Sequence, residues 1–554
     1  MDSTMMDGDL TVAAILRHGR ALYADRQVFT FTGVDTPPRS RSFAEVAARV
    51  DRLAEALAGL GIGRGDRVGT FLWNNAEHLE AYLAIPAMGA VLHTLNIRLF
   101  PEQVTYIATH AEDKIVIADH SLLPVLLPML PDCKTVETVI VANGPVADAE
   151  AGKGAATQTF LSYEDLLAEQ SGSYDWPADI DERSTAAMCY TSGTTGNPKG
   201  VAYSHRSTWL HSAAAMSANC ASICQSDRVL PIVPMFHANA WGYPYAAWAA
   251  GADLAFPAHG MASEALASFI HATRPTVSAG VPTIFNDLLR WGESHELDLG
   301  SFRLLFCGGS AVPLPLMQAY HDRFGLEMIQ GWGMTETSPV ASVAIPPAAV
   351  EPFSEEYWAY RATAGRLLFG VEGRIVGEDG TVLPSDGETV GELEVRGPWV
   401  TGSYYGGDDP DRFDHGWLKT GDVGSLSADG FIRISDRSKD VIKSGGEWIS
   451  SVDLENALSG HPAVAEAAVV GVPDEKWSER PLAAVVLAEG KSAEPAELRE
   501  FLGGKVAKWW LPERWTFIDA VPKTSVGKFD KKVIRQRYHD GELEVTELEG
   551  STRA

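Results

Sequence analysis

Over the first 330 residues, short apolar runs bounded by turn-forming residues alternate with longer stretches of helical period. Runs of roughly four to eight apolar residues predict buried strands, and the longer periodic stretches predict helices. On this pattern "AAMCYT" (186–191), "VLPIVPMF" (229–236), "TVSAG" (276–280) and "FRLLFCGG" (302–309) are buried strands. "STWLHSAAAMSA" (207–218) and "PTIFNDLLRWGE" (282–293) are helices, the second with Pro282 at its first helical position. Such alternation predicts an α/β architecture with largely parallel sheets.

Past about residue 370 the texture changes. "GELEVRGPWVTGSYYG" (391–406) and "GSLSADGFIRIS" (424–435) predict short strands around tight turns, a small β unit. "DRSKDVIKSGG" (436–446) is charged, ends in glycines and reads as a linker. Beyond it, "SSVDLENAL" (450–458) opens on a capping box of Ser450 and Asp453, and "AVAEAAVVGV" and "PLAAVVLA" are strand candidates before further helices. A chain of 554 residues exceeds one compact core, so several units are expected. The expected organisation is α/β: a large N-terminal domain (1–435) of parallel-sheet layers plus the small β unit, a hinge linker (436–441), and a smaller, mobile α+β C-terminal domain (442–554).

The formal net charge of −28 argues against nucleic acid or an anionic membrane surface as partner, since both call for basic patches. Five cysteines (Cys133, Cys189, Cys220, Cys224, Cys307) form no CxxC pair, which fits a reduced, cytoplasmic compartment. Cys220 and Cys224 lack a second pair to complete a zinc site and read as small core residues. The opening "MDSTMMDGDL" has no basic n-region, so no signal peptide is expected, and no apolar run is long enough for a transmembrane segment.

The most suggestive chemistry lies in "TSGTTGNPKG" (191–200). A Walker loop needs glycine before its lysine, but here Pro198 precedes Lys199, so the motif is a different one. Gly193 and Gly196 allow the backbone to turn N–H groups into one concavity. Thr191, Ser192, Thr194 and Thr195 add hydroxyls and Lys199 a charge; the set suits a polyphosphate, and its bland alternative is a polar turn. "QGWGMTET" (330–337) places Trp332 between glycines, where it can stack on a base, with Glu336 available for Mg²⁺; the alternative is a turn around one buried Trp. "KTGD" (419–422) offers Asp422 to ribose hydroxyls, though Gly-Asp is also a common turn pair. "DRSKD" by itself reads as a solvated charged loop, and Lys528 at the end of "PKTSVGK" (522–528) as a surface lysine.

Taken together and in this order, the motifs resemble the adenylate-forming superfamily of acyl-CoA synthetases, luciferases and peptide-synthetase adenylation domains, over nearly the whole chain. "PMFHANAWGYPYAAW" (234–248) and "KSGGEWISSVDLENAL" (443–458) resemble its bacterial medium- and long-chain fatty-acid–CoA ligase branch. The resemblance implies that the 191–200 loop, with Ser192, Gly193, Thr194, Thr195, Gly196 and Lys199, binds the β- and γ-phosphates of ATP. It implies Mg²⁺ on Thr191 and Glu336, and an adenylate site lined by Ala238, Gly309, Gln330, Gly331, Trp332 and Thr335. Asp422 would grip the ribose, with Arg437, Lys439, Lys443 and Trp448 near the adenylate and Lys439 as hinge. Lys528 would bridge acyl carboxylate and α-phosphate. Gly445 and Gly446 would line the coenzyme A tunnel, and Trp241 would gate the acyl tunnel, where Gly242, Gly308 and Gly309 leave room for a chain. His237 is either close to the substrate carboxylate or a satisfied core histidine. The superfamily usually has tyrosine at the place of Trp332; indole keeps the stacking but gives up the hydrogen-bonding capacity of a phenol.

The implied function is ATP-dependent fatty-acid–CoA ligation through an acyl-AMP by a homodimeric enzyme. Alternatives are a short-chain acid–CoA ligase acting on an acid such as 3-methylthiopropionate, acyl transfer to a carrier protein or light-producing oxidation, and a nucleotide-binding scaffold without activity. Intact Thr191, Glu336, Asp422 and Lys528 count against the scaffold.

Overall fold

The computed structural model describes residues 3–548 except 192–196, 438, 445–446 and 525–527, and of 447 and 448 the backbone alone. Three sheets organise it. A seven-stranded sheet runs in the order 159–162, 138–142, 113–119, 67–71, 91–94, 185–190, 200–204, parallel except for its last pair. A fifteen-stranded sheet carries a parallel run through Arg228–Pro231, Val277–Gly280, Leu304–Gly308 and Met328–Gly333. From Val340–Val343 onward its pairings are antiparallel. A six-stranded sheet lies wholly within residues 442–547. The molecule is thus mixed α/β with a large N-terminal and a smaller C-terminal domain. The hydrophobic clusters respect that division: three are built from residues up to 434, and two from residue 442 onward.

Four local expectations change. "VLPIVPMF" is strand only over Arg228–Pro231. Pro231 and Pro234 cannot donate to a ladder, and Asn74 draws the chain away instead. Its Nδ2 donates to the Pro231 and Val233 carbonyls, and its Oδ1 accepts from Met235 N. The small β unit is not a separate sheet, because Gly365–Leu367 pairs with Phe431–Arg437 and joins it to the large one. The charged linker is strand at its start and again at Ile442–Ser444: Phe431–Arg437 runs into it, and Asp436 is buried. Cys224 is exposed beside Ser226, whereas Cys220 is buried as expected. Among the described residues no helix is long and apolar enough to cross a membrane.

Contacts between the two domains are largely polar. The Asp436 carboxylate accepts from Ser451 N at 2.9 Å, at the first residue of helix Ser451–Ser459, and Ser450 Oγ donates to the Ser435 carbonyl at 2.5 Å. Arg290 Nη2 donates to the Ala465 carbonyl at 2.9 Å.

One buried ion cluster ties the N-terminal strand Arg39–Ser42 to the helices Phe43–Gly59 and Ala76–Ala87. Glu77 and Glu80 have no exposed side-chain surface and are held by Arg39, Arg41 and Arg49 at 2.7–3.1 Å, while Tyr163 OH donates to Glu80 at 2.7 Å. Removing one partner of a buried cluster leaves uncompensated charge and costs about 3 kcal/mol or more. Arg41→Ala should therefore lower stability by about 3 kcal/mol in denaturant titrations; a loss under about 1 kcal/mol, the surface-pair range, would show that Arg39 and Arg49 suffice.

Candidate active site

The strands Thr185–Tyr190 and Gly200–Ser204 pair with Tyr190 opposite Gly200 and present the two ends of the glycine loop side by side. Ser192, Gly193, Thr194, Thr195 and Gly196 lie outside the described residues. The ends that flank them are clasped: Thr191 N donates to the Lys199 carbonyl at 2.9 Å, and Lys199 N donates to Thr191 Oγ1 at 3.2 Å. The Lys199 ammonium pairs with Asp409 and sits 5.3 Å from the Tyr404 ring centre. Tyr404 OH in turn donates to Glu336 Oε1 at 2.6 Å. Glu336 is buried, and its Oε2 has no hydrogen bond among the described residues.

Strand Met328–Gly333 brings in the second group. Trp332 Nε1 donates to Asp422 Oδ2 at 2.8 Å, and Arg437 Nε meets Asp422 Oδ1 at 2.7 Å. Asp422 and Arg437 face each other as register partners on adjacent strands. The expected loss of hydrogen bonding at Trp332 is thus corrected: the indole N–H supplies a donor of its own. Gln330 takes a different place from the one expected. Val312 N donates to its Oε1 at 2.5 Å and its Nε2 donates to the Thr363 carbonyl at 2.6 Å, so its amide fixes two loops. A side chain at Gly331 would meet the Phe306 ring at 2.4 Å, so this glycine serves packing. Thr335 is buried, and its carbonyl accepts from Tyr203 OH at 2.6 Å.

Lys528 arrives from the C-terminal domain. Thr524 N donates to the Lys528 carbonyl at 2.7 Å, closing the segment before it. Its Cε comes within 3.9 Å of where a side chain on Gly309 would begin, and Gly309 has φ +83°, a conformation that favours glycine. Burial pushes the Lys528 ammonium down to about 8, helped by the Arg437 and Lys439 charges and opposed by Asp422 and Glu336. His237 lies near enough to Lys528 to feel its charge; burial first, then that charge, lower its pKa to about 3, so it is neutral at pH 7. Its ring has no hydrogen-bond partner among the described residues, which removes the satisfied-core alternative. The structure therefore brings Glu336, Asp422, Arg437, Lys439, Gly309 and His237 together around Lys528.

Residues 16–405 match the family model for AMP-binding enzymes, and residues 453–528 match the AMP-binding enzyme C-terminal domain. The chain belongs to the AMP-binding enzyme family. It is 42% identical to the 3-methylmercaptopropionyl-CoA ligase of Ruegeria pomeroyi, covering 97% of this chain and 98% of that protein. It is 43% identical to the long-chain-fatty-acid–CoA ligase of Thermus thermophilus, covering 97% of each. Among solved structures, the anthranilate CoA ligase AuaEII in complex with anthranoyl-AMP aligns with a TM-score of 0.85 at 25% identity, over 98% of this chain and 100% of that one.

In this AMP-binding enzyme the segment after His237 is unusual. Ala238, Asn239, Ala240, Trp241 and Gly242 all have positive φ, from +43° to +72°, a full left-handed turn with side chains on four of its residues. Each such residue costs about 1–2 kcal/mol, and such strain persists only where surroundings impose it. Here Cys189 Sγ donates to Asn239 Oδ1 at 3.0 Å, and the Trp241 ring lies 3.4 Å from the side-chain position of Gly308 and edge-on to Phe306. The expected open space at Gly242 and Gly308 is corrected. A side chain would meet His211 Nδ1 at 2.7 Å at the first and the Gly331 carbonyl at 2.6 Å at the second, so neighbouring protein atoms, not a passage, demand glycine there.

Lys443 also differs from expectation: it is exposed, and its ammonium stands 3.5 Å from Glu378. Gly445 and Gly446, and the Trp448 side chain, lie outside the described residues. Sequence reasoning missed Tyr404 and Asp409, which sit in an aperiodic, turn-rich stretch with no pattern to single them out.

If the left-handed turn is strained, Ala240→Gly should leave the melting temperature unchanged or raise it, because relief of about 1–2 kcal/mol offsets the usual loss of about 0.5–1 kcal/mol. Ala213→Gly, on an exposed face of helix His205–Met216, should show the ordinary loss. Equal losses at both sites would mean that position 240 carries no strain.

Proposed function

We propose that this AMP-binding enzyme is an ATP-dependent fatty-acid–CoA ligase for medium to long acyl chains, working through an acyl-adenylate. One observation carries the reading: a lysine of the C-terminal domain, Lys528, stands half-buried beside Gly309 and His237 and within the charge field of Asp422, Arg437 and Glu336. A lysine gains nothing from losing part of its hydration there unless an anion meets it, and a site for a carboxylate and a triphosphate supplies one. In the first step a carboxylate oxygen bonds to the α-phosphorus, and the bond to the β-phosphate bridge breaks, its electron pair leaving with pyrophosphate. Lys528 holds the acyl carboxylate against the α-phosphate; a well-placed donor of this kind supplies about 2.7–4 kcal/mol. Neutral His237 orients the carboxylate without competing for its charge. In the second step the coenzyme A sulfur attacks the acyl carbonyl, AMP leaves, and the thiol proton passes to solvent.

Magnesium is part of the same proposal. Glu336, with one oxygen free of hydrogen bonds among the described residues, and Thr191 would hold it. Among the described residues no three acidic, histidine or cysteine side chains cluster, which fits an ion held chiefly by phosphates and water. When bound it would neutralise phosphate charge. The proposed domains are 1–435 and 442–554, joined by 436–441 with Lys439 as hinge; the break between sheets after Arg437 and before Ile442 supports this. Five free cysteines suit the cytoplasm; a homodimer rests on the family resemblance alone. A second reading, ligation of 3-methylthiopropionate, is favoured by 42% and 41% identity to two 3-methylmercaptopropionyl-CoA ligases, level with the 43% to a long-chain ligase.

Lys528 is charged below its pKa of about 8 and neutral above it. At limiting substrate, ATP–pyrophosphate exchange should therefore fall as pH rises through about 8. Lys528→Arg, which stays charged, should move that limb upward, and Lys528→Ala should lose exchange while still binding ATP. A wild-type rate that stays flat well past pH 9 would contradict the cationic role.

The acyl specificity is settled by AMP release against acids from acetate to stearate, 3-methylthiopropionate included, with and without coenzyme A. The main reading expects a maximum at medium or long chains and a shift of that maximum in Trp241→Ala. A maximum at 3-methylthiopropionate would select the second reading.

A further inference from the structure

We propose that Trp332 is a positioning residue for Asp422, acting through its indole N–H and thereby coupling recognition of the base to recognition of the sugar; this rests on the ATP-binding reading above. Asp422 is 3% exposed; its Oδ2 accepts from Trp332 Nε1 at 2.8 Å, and its Oδ1 is ion-paired with Arg437 Nε at 2.7 Å. Its own N–H donates to Thr420 Oγ1 at 3.0 Å, so the backbone is held as well. A carboxylate oxygen accepts about two hydrogen bonds. With the Trp332 bond on Oδ2 and the Arg437 charge beside Oδ1, Asp422 keeps an acceptor position on each oxygen and cannot rotate about its carboxylate axis without breaking a charge-assisted bond. Two remaining acceptors side by side complement a vicinal diol, which donates from two neighbouring hydroxyls.

The same bond acts on the ring. Trp332 is only partly buried, on the strand Met328–Gly333 between two glycines. Its indole edge is tied to Asp422, which fixes the plane on which a base would stack relative to the point where the sugar is gripped. Stacking alone needs an aromatic ring of any kind; a fixed offset between stack and grip needs the N–H. Arg437 still holds Asp422 when that N–H is gone, so removing it loosens the carboxylate without exposing an unpaired buried charge.

The test replaces Trp332 by 3-benzothienylalanine, which keeps the bicyclic ring and exchanges N–H for sulfur, with W332F beside it. Pyrophosphate exchange is measured with ATP and with 2′,3′-dideoxy-ATP. Loss of a hydrogen bond to a charged group corresponds to about a tenfold change. The KM for ATP should rise about tenfold with kcat little changed, the KM for the dideoxy nucleotide should stay near wild type, and the preference for ATP should fall about tenfold. A merely structural tryptophan would affect both nucleotides alike, and that result overturns the proposal, as does a wild-type preference in the benzothienyl variant. Asp422→Ala separates the two levels. If it raises the KM for ATP while the Trp332 variants do not, only the positioning role is lost; if it leaves ATP binding unchanged, the reading of the site itself falls.

Discussion

Lys528 enters a site where burial and the neighbouring Arg437 and Lys439 charges all act against its own charge. Arg437 and Lys439 stand there with Asp422 and Glu336, Asp440 lies close to both cations and Asp436 close to Arg437, and His237 adds no charge because burial keeps it neutral. The ammonium from the C-terminal domain thus meets a desolvated set of opposite charges, and the rest of the architecture serves to hold that set. Desolvated charge is costly when unpaired, so these groups are kept in close opposition. The surrounding polar groups follow from the same need. Tyr404 holds one oxygen of Glu336 and leaves the other open, and Trp332 and Arg437 each hold one oxygen of Asp422. The carboxylates are thereby aimed before any ligand arrives, which is how electrostatic preorganisation avoids reorganisation later.

The left-handed turn from Ala238 to Gly242 belongs to the same logic at the level of backbone. It starts directly after His237 and ends where helix Tyr243–Ala250 begins, so it reverses the chain within one turn and lays Trp241 against Gly308 and Gly309. Cys189, two residues before Thr191 at the start of the glycine loop, anchors it through Asn239. A change in the loop's strand therefore bears directly on the segment that carries Trp241.

Much of this was legible in the sequence, for identifiable reasons. Glu336, Asp422 and Lys528 announce themselves because each closes a short motif rich in glycine or threonine, and the order of those motifs is informative where any one is not. Strand–helix alternation gave the parallel core correctly. The failures share a cause, namely that sequence shows a residue's type but not which neighbour claims it. Gly308 reads as room for a ligand, yet the Gly331 carbonyl fills that space. Gln330 reads as a nucleotide contact, yet its amide also ties two backbone groups from distant loops. Trp332 reads as a loss of hydrogen bonding until Asp422, ninety residues on, is placed beside its edge. "VLPIVPMF" looks apolar enough for a long strand, and its two prolines are what stop it.

The separation of the cores bears on how one lysine can serve a two-step reaction. Among the described residues no hydrophobic cluster draws on both domains, and the contacts across the boundary include Asp436 on the start of helix Ser451–Ser459, Ser450 on the Ser435 carbonyl, Arg290 on the Ala465 carbonyl and Lys443 near Glu378. Polar groups released from such contacts are taken up by water, so each bond is worth only about 0.5–1.5 kcal/mol net, and relative motion is the default for domains so joined. An apolar interface of the same extent would have locked Lys528 in place. Among the described residues the hydrophobic clusters stay within each domain, and the bonds named between the domains are of the exchangeable kind, an arrangement that suits parts that separate more readily than they unfold.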